Sequence, residues 1–305
     1  MTVLVVGSVA LDSVETPFGK AADVLGGSGT FFSAAASLLA PVQLVGVVGS
    51  DYPVERLEPL ARRGVDLAGL ERADGASFRW RGRYRHDLNS AETLETHLGV
   101  FSHFSPKIPA QFRNAPFVFL ANIDPRLQLD VLRQVERPRL VACDTMNFWI
   151  ESRRPELLEL LSHVDLITLN DGEARQLTEQ ANLVKAAKWI MARGPRLVII
   201  KKGEHGAFMF TREEIFFAPA YPLEDVFDPT GAGDSFAGGF MGYLACTGDL
   251  GEQNLRRAVV YGSALGSFAV EKFSIDRLLE VERPEIERRV RDFRRLVAFE
   301  EELPA

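Results

Sequence analysis

The chain has 305 residues, 46% of them hydrophobic and 25% charged, and a formal net charge of −7. That length suits one large α/β domain with an appendage. The acidic balance excludes the global basic field that draws nucleic acid or an anionic membrane surface.

No stretch approaches the roughly 20 uncharged apolar residues of a membrane span, and the start MTVLVVGSVALD has no basic leader before its apolar run. The two cysteines, Cys143 and Cys246, are far apart and each has apolar neighbours. They read as two thiols in a reducing compartment rather than a disulfide framework or a metal site, which predicts a cytoplasmic protein.

In chain order, apolar runs rich in Val, Ile, Leu and Phe recur at 3–9, 42–48, 117–121, 140–143, 166–169 and 197–200. Continuous rather than alternating apolarity predicts strands buried on both faces, as in a parallel sheet flanked by helices. Helical spacing falls between them at 33–39, 54–63, 127–136, 154–162, 172–179 and 183–192. The alternation predicts a doubly wound α/β sheet, with ligands at the carboxyl ends of its strands. One stretch departs from it. At 77–86 the chain reads SFRWRGRYRH, and a second alternating run, 93–100, follows a polar link. Period two on both sides of a turn predicts an antiparallel hairpin with one aromatic and one basic face, projecting from the main sheet. Arg79, Arg81, Arg83 and Arg85 either bind an anion or pair with acidic groups. After residue 228 the chain reads as helical at 233–244, 255–270 and 285–301.

The run DPTGAGDSFAGGF at 228–240 carries the chemistry. Gly231, Ala232 and Gly233 precede an apolar helical stretch, and such a helix start directs unpaired N–H groups and a positive dipole end outward, making an anion site. Asp234 would repel the anion, so binding is not its task; a carboxylate beside a phosphate cradle suits accepting the proton of an alcohol that attacks a phosphoryl group. The alternative is a glycine-rich turn with Asp234 as an ordinary first-turn residue.

Residues 228–241 resemble the C-terminal signature of the PfkB/ribokinase carbohydrate kinases. The resemblance implies a single ribokinase-like kinase domain over 1–305, with a small antiparallel β lid at about 12–20 and 77–101. It implies ATP- and Mg²⁺-dependent phosphorylation of a hydroxyl on a small sugar or polyol, with Asp234 as general base and Gly231–Gly233 as anion hole. The other elements follow in family order. Asp12 ends VGSVALD and resembles the aspartate that binds substrate hydroxyls; Gly26, Gly27 and Ser28 resemble the di-glycine element under the substrate. Asn170 and Glu173 match N-x-x-E, which organises magnesium and phosphate through water, although the same pair reads as a helix-capping signature. Lys201, Gly203 and Gly206 resemble the turn that lines the nucleotide, and Asp228 and Thr230 correspond to positions that bind a monovalent cation, K⁺, in some relatives.

The sequence departs from the pattern at GSGTFF, 27–32, which lacks the usual asparagine. Thr30, Phe31 and Phe32 there imply a more apolar pocket, with Asn122 and Asn147 as replacement ligands at strand ends. Asp144-Thr-Met-Asn147 is a stretched form of the family's Asp-x-Asn element. Lys201 and Lys202 replace an uncharged pair, as solvated lysines or with one reaching nucleotide phosphate. The aromatic face of the lid (Phe78, Trp80, Tyr84) favours a nucleoside kinase as the rival acceptor class. It also invites a second copy to cover it in a homodimer. A rival of another class is a regulator that binds nucleotide without turnover. A dinucleotide-dependent dehydrogenase is weaker still, because VGSVA lacks the further glycines of that fingerprint.

Overall fold

The structure, a computed structural model, describes residues 1–298. Its strands are β1 (Val3–Val6), β2 (Ala10–Thr16), β3 (Gly19–Gly26), β4 (Val42–Gly49), β5 (Val65–Ala73), β6 (Phe78–Tyr84), β7 (Ala91–His97), β8 (Phe117–Leu120), β9 (Leu140–Asp144), β10 (Leu166–Asn170), β11 (Leu197–Lys201), β12 (Ala207–Phe210) and β13 (Ile215–Ala218). Nine of them form one sheet in the order β13-β12-β11-β10-β9-β8-β1-β4-β5. It is parallel from β11 through β5, and antiparallel only where β12 and β13 extend its edge.

The predicted runs form this sheet because both of its faces are covered. Val3 and Val5 join a core cluster with Phe32, Phe236 and Phe240 on one side. Leu4 and Val6 join a second cluster with Leu157 and Ile190 on the other. Chain order reverses between β1 and β8: β4 and β5 lie to one side, β8 to β11 to the other. In open α/β sheets the crevice beyond such a switch point is where ligands bind.

The first apolar run ends early as a strand, at Val6. A β-carbon on Gly7 would lie 2.8 Å from the Gly29 nitrogen, so the chain turns there and re-enters strand geometry as β2. The helix predicted at 33–39 begins at Ser28 and ends at Ala36. Its start is fixed from a distance, by the Gly29 N–H donating to the Ser8 carbonyl at 2.9 Å. The helix predicted at 54–63 divides into a 3-10 turn, Val54–Leu57, and an α-helix, Glu58–Arg62, because Pro59 has no N–H to continue one ladder. The last helix runs Arg283–Val297; residues 299–301 of that expectation lie outside the described residues.

The small second sheet has the order β3-β2-β6-β7. It comprises two antiparallel hairpins, β2–β3 and β6–β7, joined by parallel pairing of β2 with β6. Asp12 registers with Trp80, so the two point to the same side, as does Tyr84 at the same period. The arginines take the opposite side and are paired. Arg81 and Arg83 reach Glu15 at 3.0 and 2.9 Å, Arg79 reaches Asp51 at 2.6 Å, and Arg85 reaches Glu92 at 3.0 Å. Of the two readings of that row, pairing with acids is the one the geometry supports.

Candidate active site

The run 228–234 forms the turn that opens the helix Ala232–Thr247. Asp228 is buried, its Oδ1 accepting from the Thr230 N–H at 2.9 Å and its Oδ2 from the Ser274 N–H at 3.2 Å. This carboxylate clamps the turn from both sides. Gly231 has φ of 70°, in the left-handed region that β-carbons disfavour, and a β-carbon there would run into the Phe31 ring. The helix starts with no side-chain cap; the Ala232 N–H donates to the Pro229 carbonyl at 3.2 Å, and the first-turn N–H groups beyond it are available to an anion. Asp234, in that first turn, has its pKa raised to about 7 by burial and by the charge of Asp144, with Lys201 opposing.

Phe31 and Phe32 are therefore not pocket lining. Both are at most 1% exposed; Phe31 props the turn from beneath, and Phe32 stacks on Phe119 at 4.4 Å between ring centroids. Thr30 is fully buried as well. The expected apolar pocket gives way to an apolar support, because all three residues lie on the inward helix Ser28–Ala36.

The opposite end of the crevice is built on Asp12. Its carboxylate lies where a β-carbon on Gly26 would be and accepts from the Gly27 N–H, while burial and then the charges of Asp228 and Asp234 raise its pKa to about 7. Gly26 thus makes room for Asp12 itself, whereas a β-carbon on Gly27 would meet the Ser8 carbonyl. Ser28 bonds to Ser8. Its Oγ takes the Ser8 N–H at 3.2 Å and lies 3.1 Å from the Ser8 hydroxyl, and its own N–H goes to Ser8 Oγ at 2.9 Å, so it buttresses the loop. Over this end, the Trp80 ring lies across Gly82, its indole N–H donating to Thr93 Oγ1 at 3.2 Å. The Tyr84 hydroxyl meets Thr230 Oγ1 at 3.4 Å. Asn122 and Asn147 are at the ends of β8 and β9. Asn122 Oδ1 accepts from the Trp149 indole at 3.0 Å, and Asn147 caps the Phe148 N–H at 2.9 Å.

Asn170 and Glu173 form the capping box: the Asn170 N–H donates to Glu173 Oε2 at 2.7 Å and the Glu173 N–H to Asn170 Oδ1 at 2.8 Å. Burial, then the charge of Asp144, raises the Glu173 pKa to about 7. Lys201 is not a solvated lysine. Its Nζ is 3.0 Å from Asp144 Oδ2, and the two side chains are 17% and 7% exposed. Burial works against the Lys201 ammonium, yet Asp144, Glu173 and Asp234 together raise its pKa. Gly203 opens a 3-10 turn that the lid tip approaches, with Asn89 reaching Glu204 at 3.4 Å. Gly206 backs onto the Ala218 carbonyl of β13, a packing position on the sheet edge.

The sequence pattern did not single out Gln128. Fully buried, it donates to the carbonyls of Leu120, Ala121 and Asp144 at 2.9–3.1 Å and so ties together the ends of β8 and β9. Its signal was slight: an amide inside an otherwise amphipathic helix.

A family model described as pfkB family carbohydrate kinase matches residues 6–280. The cytidine kinase of Thermococcus kodakarensis is 30% identical over 247 residues, covering 79% of this chain and 87% of that one. Aminoimidazole riboside kinase of Salmonella enterica, solved with aminoimidazole riboside and an ATP analogue, superposes with a TM-score of 0.76 at 22% identity, covering 95% of this chain and 100% of that one. A ribokinase-type protein of E. coli in complex with ATP and Mg²⁺ gives 0.78 at 19% identity, covering 95% and 99%.

Proposed function

The chain belongs to the pfkB family of carbohydrate kinases, and from that membership we propose that it transfers the γ-phosphoryl group of ATP to a hydroxyl of a small sugar or polyol. The observation that carries the mechanism is Asp234 in the first turn of an uncapped helix, with its pKa raised toward neutrality. A general base works best when its pKa is near the working pH.

Asp12 accepts hydrogen bonds from acceptor hydroxyls. The attacking hydroxyl gives its proton to Asp234 as its oxygen bonds to the γ-phosphorus. The bond from that phosphorus to the β–γ bridging oxygen breaks, and its electron pair leaves with ADP. The free N–H groups of the first helical turn hold the oxygens of the group in transit. Hard oxygen donors at Asn170 and Glu173 suit magnesium held through water; when bound, it neutralises charge on the phosphate oxygens. Each Asp228 oxygen accepts one backbone N–H and keeps a lone pair, and turnover with and without K⁺ tests the expected monovalent cation there. A homodimer through the lid would cover Leu94 and Leu98, both exposed, and sedimentation of the purified chain tests it.

A nucleoside acceptor is the second reading. It is favoured by the Trp80 ring, which occupies the space beside Gly82 on the side of the lid that carries Asp12, where a base can stack. Likeness to a cytidine kinase supports the same reading. A panel of pentoses, hexoses, inositols and nucleosides with Mg·ATP, scored by ADP release, separates the two. Turnover confined to nucleosides selects the second reading, and no turnover with any hydroxyl compound refutes both.

A further inference from the structure

We propose that Lys201 is a catalytic residue of the phosphoryl transfer, its ammonium contacting the transferring group at the anion hole, and that Asp144 is the residue that positions it. The inference rests on the kinase reading above and adds a side-chain charge to a hole otherwise made of backbone N–H groups.

Three observations converge. First, the lysine is aimed at the hole: a β-carbon added at Gly233 would lie 2.9 Å from Nζ. Gly233 thus provides the space its head group occupies, directly beside Asp234. Second, the ammonium has capacity to spare. Among the described residues Asp144 Oδ2 is its one recorded hydrogen-bond partner, and a lysine carries three N–H donors.

Third, Asp144 is itself held rigidly. Its Oδ1 accepts from the Thr145 N–H at 2.7 Å, and Gln128 holds its carbonyl at 3.1 Å. Lys201 and Asp144 come from the ends of β11 and β9, with β10 between them, so the side chain crosses the sheet end to reach its partner. A buried ion pair is seldom worth more to stability than apolar side chains of the same volume. Held beside a phosphate cradle, it is a charge fixed in advance where negative charge passes. In the transfer Lys201 loses no proton and forms no bond. Its free N–H donors meet the phosphoryl oxygens while Asp144 keeps the head group from swinging away.

The test uses the full chain and four variants, Lys201→Met, Lys201→Arg, Asp144→Asn and the double Lys201→Met/Asp144→Asn. They are followed by turnover on an acceptor from the panel and by calorimetric binding of ADP and a non-hydrolysable ATP analogue. Lys201→Met should lower kcat by about 100-fold or more. ADP should bind as before, while the ATP analogue loses its advantage over ADP. Lys201→Arg should recover part of kcat. Asp144→Asn should lower kcat by about 10-fold with the KM for ATP kept.

The double variant removes both members of the Lys201–Asp144 pair. Because Lys201 also opposes the rise in the Asp234 pKa, every variant is followed in pH up to its plateau, where a mere counter-charge to Asp234 would let turnover recover and a catalytic lysine would not. We expect the double variant to melt near the wild type and stay slow at its plateau. Plateau turnover within a few-fold of wild type in the double variant would overturn the proposal. So would equal losses of ADP and ATP-analogue affinity at unchanged kcat, which would make Lys201 a plain nucleotide contact. If the wild type turns over no acceptor, the kinase reading fails on its own, and the analogue-to-ADP affinity ratio still reads the lysine.

Discussion

At the phosphoryl end the cleft wall is backbone held in place from several sides. Asp228 bonds two N–H groups, Phe31 fills the space under Gly231, and Lys201 pairs with Asp144. At the acceptor end the wall is a two-hairpin sheet whose β7 is exposed along its length, and whose arginines pair at the surface, where such pairs contribute little. Asp12 alone among the acceptor-end groups is fixed as firmly as the phosphoryl end, by Gly26 and Gly27. The difference matches the two tasks. Transferring a phosphoryl group requires preorganised charge, whereas admitting and releasing an acceptor requires a wall that can move.

If the phosphoryl end is rigid, a small intrusion there should be costly. Gly231→Ala forces a β-carbon into the Phe31 ring at a left-handed φ, and should lose about 1–3 kcal/mol of stability and about 100-fold in kcat. Denaturant melts and turnover check this, and Phe31→Leu in the same chain should return part of both. Unchanged turnover would mean that the turn is soft.

The second prediction concerns protonation. Asp234 must be ionised to accept a proton, and its pKa is raised to about 7. Below that pH, kcat/KM should therefore fall about tenfold per unit, and above it level off. The stability of the free protein runs the other way. Asp12, Glu173 and Asp234 all have raised values, so their contribution is fully present below about pH 4 and is lost as pH rises through about 7. Melting temperatures measured from pH 5 to 8 should show this decline, and Asp12→Asn should flatten it.

The smallest effect belongs to the acceptor wall. Trp80→Ala should raise the acceptor KM by about tenfold, in line with the loss of one stacking contact, and leave kcat and the KM for ATP nearly unchanged. A loss confined to kcat would tie Trp80 to the chemistry instead and dissolve the contrast between the two ends.

What the sequence made legible follows the same division. The strands buried on both faces announce themselves as unbroken apolar runs, and DPTGAGD gathers the turn, the helix start and the base in one contiguous stretch. Asn170 and Glu173 were visible as a capping pair because both partners lie within one helical turn. The partnership of Lys201 with Asp144 was not, since it spans 57 positions and depends on β9, β10 and β11 lying side by side. For the same reason Tyr84 gave no sign of meeting Thr230, and Phe31 read as a pocket residue when it is a prop. The edge strands β12 and β13 are as long as β1 and β8, four residues each, but they form a hairpin after a turn, outside the strand–helix alternation that marks the parallel strands. Contacts made by local geometry can be read from spacing; contacts made by the sheet require the sheet.

The most direct test of the account is the turnover of Asp234→Asn on an acceptor the wild type phosphorylates, with nucleotide binding and melting temperature measured alongside. Loss of a positioned base should lower kcat by about 10²–10⁴-fold in a protein that still folds and still binds ADP. Wild-type turnover in that variant would contradict the account, because the proton of the acceptor would then be leaving by another route.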